Sequence, residues 1–494
     1  MTLEEILLLV KRENDYHEYL AWRTEQEKLY YYYVGDKYRL KDYLKTALEI
    51  TYKDSDVEEM QLNFVNITKK IVNQQAVIYK HPADRYIVDE SGEEDEDMTE
   101  YYNDILPDKI NSIDKKASRL GKLANTSITE IYFDNGKINY RVDPNFQYRV
   151  IVEDEDPKKI KMITYDKEIE DQIYIYVWTN EYHFRINPNG KPEPIPGRGE
   201  EDLKNYYGII PFVFLTFEDG LDIWGDGQTD LVNVNEQINF LLTNLINDQI
   251  VMGAGGGMLV SNCDIDKKAT SDSIVVDNQV RDIKSIRFNR KHPIITEGVR
   301  TDMKDPKIEF IGLDPHITEI QESIDWYIKM IARTKGINPN SFFGEPQSTS
   351  GFSKMVDSVE QLEMRMDDME PCREYEKQRF NVTRIINNYY ATTTDGKKYK
   401  LKEIPEKLEL KIDFAEIEMP QSQDEIWKDR KEKEDRNMGS ALDWLIEENP
   451  DLDIKEAQRI LNENKQRNEA NKPKVNSFTN LFNRTDVQKQ NSEE

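Results

Sequence analysis

The sequence predicts an α+β chain of several domains, and three observations carry that reading. Apolar residues recur at helical spacing from the first turn onward. Residues 126–186 hold β-rich runs separated by turn signals. Two amphipathic helical patterns then stand on either side of a short β-like module. At 494 residues the chain is long enough to bury a large core and divide into domains.

Residues 2–34 read as helical. Thr2 and Glu5 have the spacing of a capping box, and Leu3, Ile6, Leu7 and Val10 form one face. More helix is expected over residues 40–80. The run DESGEEDEDMTE, residues 89–100, holds eight carboxylates in twelve positions and reads as a solvated, mobile loop; its spacing fits no calcium-loop motif. Asn135-Gly136 between two β-rich runs is a hairpin signal, and DQIYIYVWTNEYHFRI reads as a strand pair. Residues 187–199, NPNGKPEPIPGRG, read as a loop.

Residues 205–266 contain nine acidic residues and no lysine or arginine. Within them Leu231, Val234, Ile238, Leu241 and Leu245 step along one helix face, and Asn233, Glu236, Gln237, Asn244 and Asn247 are expected on a wet opposite face. The balance reverses over residues 267–307, with ten basic and six acidic residues in short β-like pieces. A second helix is expected from Asp314 as N-cap, with Pro315 as first helical residue. Ile317, Ile320, Ile324, Ile328 and Ile331 form its apolar face and Gly336 closes it. A polar loop holding Phe342 and Phe343 follows, then a long helix to about residue 390 in which Pro371 is expected to produce a kink. DGKKYKLKEIPEKLELKIDF reads as strand, residues 440–466 as two helices, and residues 473–494 as loose.

Composition excludes several functions. A net charge of −28 argues against a general nucleic-acid coat. Cys263 and Cys372 have no metal-ligand spacing, and a disulfide framework is not expected. The run ILLLV is too short to span a membrane and lacks a signal peptide's basic start, so the expectation is an intracellular protein. The glycines Gly253, Gly255, Gly256 and Gly257 do not make a phosphate loop. A helical pattern enters them and a β-like run leaves, which is the reverse of the phosphate-binding order, and no Gly-Lys-Ser or Gly-Lys-Thr occurs. The five histidines show no metal spacing. GDGQTDLVNVNE lacks a calcium loop's central glycine, Leu231 standing in that place. No catalytic constellation is present, so no enzyme activity and no cofactor are expected.

Three stretches carry a resemblance. Within residues 206–250 an Ile-Pro-Phe strand is followed by a Gly-Asp-Gly turn and an Asn-rich helix. The order helix, small module, helix comes next. NPNSFFGEPQSTSGFSKMVDSVEQLEMR then places a Ser-Gly element at the start of a long helix. In these features, over residues 60–470 or so, the chain resembles the portal proteins, the head-tail connectors of tailed double-stranded DNA bacteriophages.

The resemblance implies a ring, in this family of twelve subunits, assembled in the host cytoplasm and placed at one capsid vertex of the virion. It implies a wing over residues 1–229, a first stem helix over 230–252, a clip over 253–313 and a second stem helix over 314–336. A tunnel loop and the rest of the wing would take 337–420, a crown 421–472 and a tail 473–494. The implied partners are further copies of the chain, double-stranded DNA in the channel, terminase, a head-completion adaptor, and capsid and scaffolding proteins, with no membrane. The stem channel residues would be Asn233, Glu236, Gln237, Asn244, Asn247 and Asp248. The tunnel loop would present Asn338, Asn340, Ser341, Phe342, Phe343, Gly344, Glu345, Gln347, Ser348 and Thr349; Phe342 and Phe343 could equally anchor it in a core. Clip docking would use Lys267, Lys268, Arg281, Lys284, Arg287, Arg290 and Lys291. The glycines would then supply a bend where stem meets clip. From the residues alone two other readings stand: a metal-dependent nuclease using some of the carboxylates, and a structural adaptor that never meets DNA.

Overall fold

The computed structural model describes residues 1–470 except 15–16, 154, 157, 200–201, 219, 221–222, 254–256, 262, 266–270, 277–278, 285–295, 299–306, 312–316, 340–350, 416–422, 437 and 449–453. It mixes helix and sheet, as the α+β reading expects. The chain divides into two compact units. One comprises residues 1–348 and 356–417, the other residues 349–355 and 418–494.

The larger unit begins with α1 (Leu3–Asn14). Its capping box is formed: Glu5 N–H donates to Thr2 Oγ1 at 3.3 Å, and Thr2 N–H to Glu5 Oε2 at 2.8 Å. Ile6 and Val10 bury against Met162, Val177 and Phe184. Helices α2 (His17–Val34) and α3 (Lys37–Glu49) follow. The expected helix over residues 40–80 is interrupted. α4 (Asp54–Glu59) and α5 (Ile67–Gln75) are separated by residues 61–66, which are not helical, and a 3-10 turn occupies Ile78–Lys80.

Strand β1 (Ala83–Val88) leads into the acidic run. That run is exposed, but it is an ordered turn and helix start rather than the mobile loop expected. Asp89 Oδ1 accepts from Ser91 N–H and Glu93 N–H, and Gly92 turns at φ 83°. Asp95 then caps α6 (Glu96–Ile105) by accepting from Met98 N–H at 3.0 Å. Glu96 and Asp97 fall in the first turn, where the helix dipole favours negative charge.

Helix α7 (Ile110–Ala124) packs on a three-stranded sheet of order β3-β2-β9, built from β2 (Thr126–Asp134), β3 (Lys137–Asp143) and β9 (Phe212–Thr216). Asn135 and Gly136 join β2 to β3 at φ 51° and 86°, both left-handed, as the Asn-Gly signal requires. A five-stranded antiparallel sheet runs β4-β5-β6-β7-β8: Tyr148–Val152, Ile160–Ile169, Gln172–Trp178, His183–Ile186 and Pro192–Pro194. The last strand corrects the loop reading of residues 187–199. Its two prolines are tolerated because β8 is at the sheet edge. Ile128, Tyr148, Ile163, Trp178 and Phe212 pack together from the two sheets.

Helix α8 (Thr229–Gly253) and helix α9 (Ile317–Thr334) bracket nested antiparallel pairs. Strand β10 (Gly257–Ser261) pairs with β15 (Lys307–Ile311), β11 (Cys263–Ile265) with β14 (Thr296–Gly298), and β12 (Ser271–Val276) with β13 (Gln279–Lys284). The long helix α10 (Gly351–Ala391) contains Pro371. The expected strand after it is shorter than its sequence stretch: α11 takes Thr394–Tyr399 and β16 only Glu409–Phe414, paired with β1.

The smaller unit contains α12 (Gln423–Asp435), α13 (Ala441–Glu448) and α14 (Ile454–Ala470), including the two helices expected over residues 440–466. Ser440 and Asp443 cap α13 reciprocally.

Candidate functional site: two packed helices and the segment that braces one of them

The apolar residues assigned to α8 face the core. Leu231, Ile238 and Leu245 are buried, and Val234 and Leu241 pack against the same cluster. α9 lies against α8 and contributes Ile324 and Ile331 to that core, with Ile317, Ile320 and Ile328 packed on it. Gly336 ends α9 at φ 65°. Its N–H bonds Arg333 C=O at 3.1 Å, and Ile337 N–H bonds Ala332 C=O at 2.9 Å, which is a Schellman close. Asp314 and Pro315, expected at the other end, lie outside the described residues.

The start of α8 and the end of α9 are tied together. Lys335 Nζ lies 2.8 Å from Asp230 Oδ2. Gln75 Nε2 donates to Lys335 C=O at 3.3 Å, and Gln228 Nε2 donates to Gln75 Oε1 at 2.6 Å.

A second row of α8 side chains includes only one assigned residue, Asn247. Asn235, Asn239, Thr243 and Asn247 stand four residues apart and grip alternate residues of 61–68. Asn235 Oδ1 accepts from Ile67 N–H, Thr68 N–H and Thr68 Oγ1, each at 3.0 Å, while its Nδ2 donates to Val65 C=O at 2.8 Å. Asn239 Oδ1 accepts from Val65 N–H at 2.8 Å. Thr243 Oγ1 accepts from Asn63 N–H at 3.0 Å and donates to Asn63 C=O at 3.2 Å. Asn247 does the same for Gln61 through Oδ1 and Nδ2, at 3.0 and 3.1 Å. Four helical residues rise about 6 Å and two extended residues about 6.6 Å, so the two repeats stay in step. The helix acts as a neighbouring strand for this segment.

This placement changes the reading of the polar face. Asn233 and Gln237 are exposed, and Asp248 is half-buried. Three of the assigned residues are committed inside the chain instead. Glu236 accepts from Lys28 Nζ at 3.0 Å and Tyr32 Oη at 3.3 Å. Asn244 accepts from Tyr52 Oη at 3.3 Å, and Asn247 holds Gln61. The exposed side of α9 carries Glu319, Glu322 and Asp325 beside Lys329 and Arg333.

Of the tunnel-loop residues only Asn338 is described, half-buried just after α9; Asn340, Ser341, Phe342, Phe343, Gly344, Glu345, Gln347, Ser348 and Thr349 lie outside the described residues. In the basic module Arg281 and Lys284 are on β13, while Lys267, Lys268, Arg287, Arg290 and Lys291 lie outside them. Gly253 is the last residue of α8 and Gly257 the first of β10; Gly255 and Gly256 fall outside.

The buried charges form a joint. Arg85 on β1 reaches Glu376 Oε1 at 2.8 Å and Asp114 Oδ2 at 2.5 Å. Arg379 reaches Asp114 Oδ1 at 2.5 Å and Glu376 Oε2 at 2.6 Å, and Tyr79 Oη donates to Glu376 Oε1 at 3.0 Å. All four ionic side chains are almost wholly buried, and two positive charges meet two negative ones. Burial opposes the ionisation of Glu376, but Arg379 and Arg85 outweigh it and hold the pKa at about 2. These carboxylates are saturated by guanidinium groups rather than open to a cation. Among the described residues no group of three His, Cys, Asp or Glu is placed to hold a metal ion. Among them also, no helix is long and apolar enough to cross a membrane.

No protein-family model matches the chain, and no curated protein matches it.

Proposed function

We propose that the chain is the protomer of a portal ring that forms a DNA channel at a capsid vertex. The observation that carries this reading is α8 and α9 packed side by side, tied at Asp230 and Lys335, with nested β pairs strung between their other ends. That is the order of a stem, a clip and a returning stem helix. In this reading the β pairs and their basic residues dock terminase during packaging and a head-completion adaptor afterwards, the steering being electrostatic.

The charge pattern supports it. Each phosphate that a protein neutralises releases counterions and tightens binding. A wall that lets DNA slide must avoid that grip. α8 has no lysine or arginine, and its exposed Asn233 and Gln237 are neutral. The channel contribution of α8 therefore rests on Asn233, Gln237 and the half-buried Asp248, since Glu236, Asn244 and Asn247 have partners within the chain. The work of packaging belongs to a separate ATPase, because the sequence has no phosphate loop.

Electron-microscope images of the purified protein test this reading. The expected particle is a closed ring with a central hole that passes a DNA duplex. Compact particles without a hole, at every protein concentration tried, contradict it.

A further inference from the structure

Residues 61–66 have two edges, and only one is occupied. The odd-numbered residues Gln61, Asn63 and Val65 turn their main-chain groups to α8 and are held by Asn235, Asn239, Thr243 and Asn247. In an extended chain the intervening residues turn theirs the opposite way. Among the described residues, no hydrogen bond reaches the N–H or C=O of Leu62 or Phe64. These are obligatory hydrogen-bonding groups; residues 61–66 are not themselves a β-strand, but α8 holds their other side as a neighbouring strand would, and this side is left open.

A second observation lies beside that edge. A cleft of about 500 Å³ is lined by Val57, Met60, Leu62 and Phe64, with Lys41, Lys45 and Glu58 at the same site. Leu62 and Phe64 sit on the apolar cluster of Leu44, Leu48 and Val57, so one wall of the cleft is apolar, while polar atoms make up most of its lining. Among the described residues neither the Lys41 nor the Lys45 ammonium has an ion-pair or hydrogen-bond partner. Free donors and acceptors at strand spacing, one apolar wall and two unpaired ammonium groups together specify an occupant.

We propose that this edge takes an added strand from a partner protein, an extended segment with apolar side chains for the cleft and carboxylates for Lys41 and Lys45. Main-chain pairing to Leu62 and Phe64 supplies the register, the wall of Val57, Met60, Leu62 and Phe64 takes apolar residues, and the lysines select acidic segments over basic ones. This docking edge is independent of the ring reading: it requires only the brace by α8 and the cleft.

The test uses the full chain and a synthetic peptide alternating valine and glutamate, with amide hydrogen exchange at residues 61–66 and a binding titration as readouts. In the protein alone, Leu62 and Phe64 amides exchange fast while Asn63 and Val65 are protected; the peptide slows Leu62 and Phe64 by about tenfold or more. A copy of the peptide N-methylated at every residue keeps its charge but binds about tenfold more weakly or worse, as does a valine–lysine peptide. In Lys41→Glu/Lys45→Glu the preference between the glutamate and lysine peptides reverses. Four results overturn the proposal. Leu62 and Phe64 are already slow in the protein alone, whether a second copy or another segment covers them. The peptide leaves them fast at saturating concentration. The N-methylated copy binds equally well. The charge-reversed protein keeps the original preference.

Discussion

Glu376 and His183 are buried ionisable groups held in single charge states, and each makes stability depend on pH. Glu376 has a folded pKa of about 2 against an ordinary 4.5. The folded value is the lower, so the stabilisation is complete above 4.5 and is lost as pH falls towards 2. Glu376→Gln keeps the shape and leaves Arg85 and Arg379 to share Asp114. The expected cost is about 3–5 kcal/mol near neutral pH, with less further loss on acidification than in the parent. Urea unfolding at a series of pH values measures both; equal acid sensitivity in the two proteins contradicts the assignment. His183 lies against Trp178 with ring centroids 3.3 Å apart, and Arg198 Nη2 is 3.3 Å from its Nδ1. Burial, then the charge of Arg198, pulls its pKa to about 3 from 6.5. It stays neutral in the fold while the unfolded chain takes up a proton. Stability is therefore present above 6.5 and is lost as pH falls towards 3. His183→Phe keeps a ring on Trp178 and cannot be protonated. The slope of stability against pH in that window should fall by about one proton's worth, and an unchanged slope contradicts this.

At the scale of elements, the brace between α8 and residues 61–68 makes a graded prediction. Asn235→Ala leaves Ile67 N–H, Thr68 N–H and Val65 C=O without their partner, whereas Asn239→Ala releases only Val65 N–H. The expected losses are about 3 and about 1 kcal/mol, read from denaturant midpoints. Equal losses mean that the ladder is not what holds the segment. The brace also shows what sequence reading could and could not reach. The capping box of Thr2 and Glu5, the Asn135-Gly136 turn, the Gly336 helix close and the isoleucine face of α9 were all legible, because their partners lie within a few residues. The apolar face of α8 was legible for the same reason. Asn233, Asn244 and Asn247 were read as wet because polar residues opposite an apolar stripe usually are; Asn233 is exposed, but Asn244 meets Tyr52 and Asn247 meets Gln61. Asn235 and Asn239 carried no reading, since their partners, residues 65–68, lie about 170 positions away and nothing local announces them. The same distance hid the break in the expected helix over residues 40–80. Arg85, Asp114, Glu376 and Arg379 were invisible among 95 acidic and 67 basic side chains, since only the tertiary fold brings them together. In the acidic run, charge density was read as mobility, and the local device that orders it, Asp95 at a helix start, was overlooked.

At the scale of the whole molecule, the account rests on assembly. A ring repeats one heterologous contact by rotation until it closes, so its copy number is fixed by geometry rather than by concentration. The net charge of −28 opposes loose self-association, and the contacts must outweigh that repulsion, more easily as salt is added. Native mass spectrometry of the purified chain, over a range of protein concentration and salt, tests the central claim most directly. The account predicts one dominant assembly of fixed copy number, many protomers in size, whose mass does not drift with concentration. Monomers alone under every condition, or a ladder of sizes that grows with concentration, would contradict it.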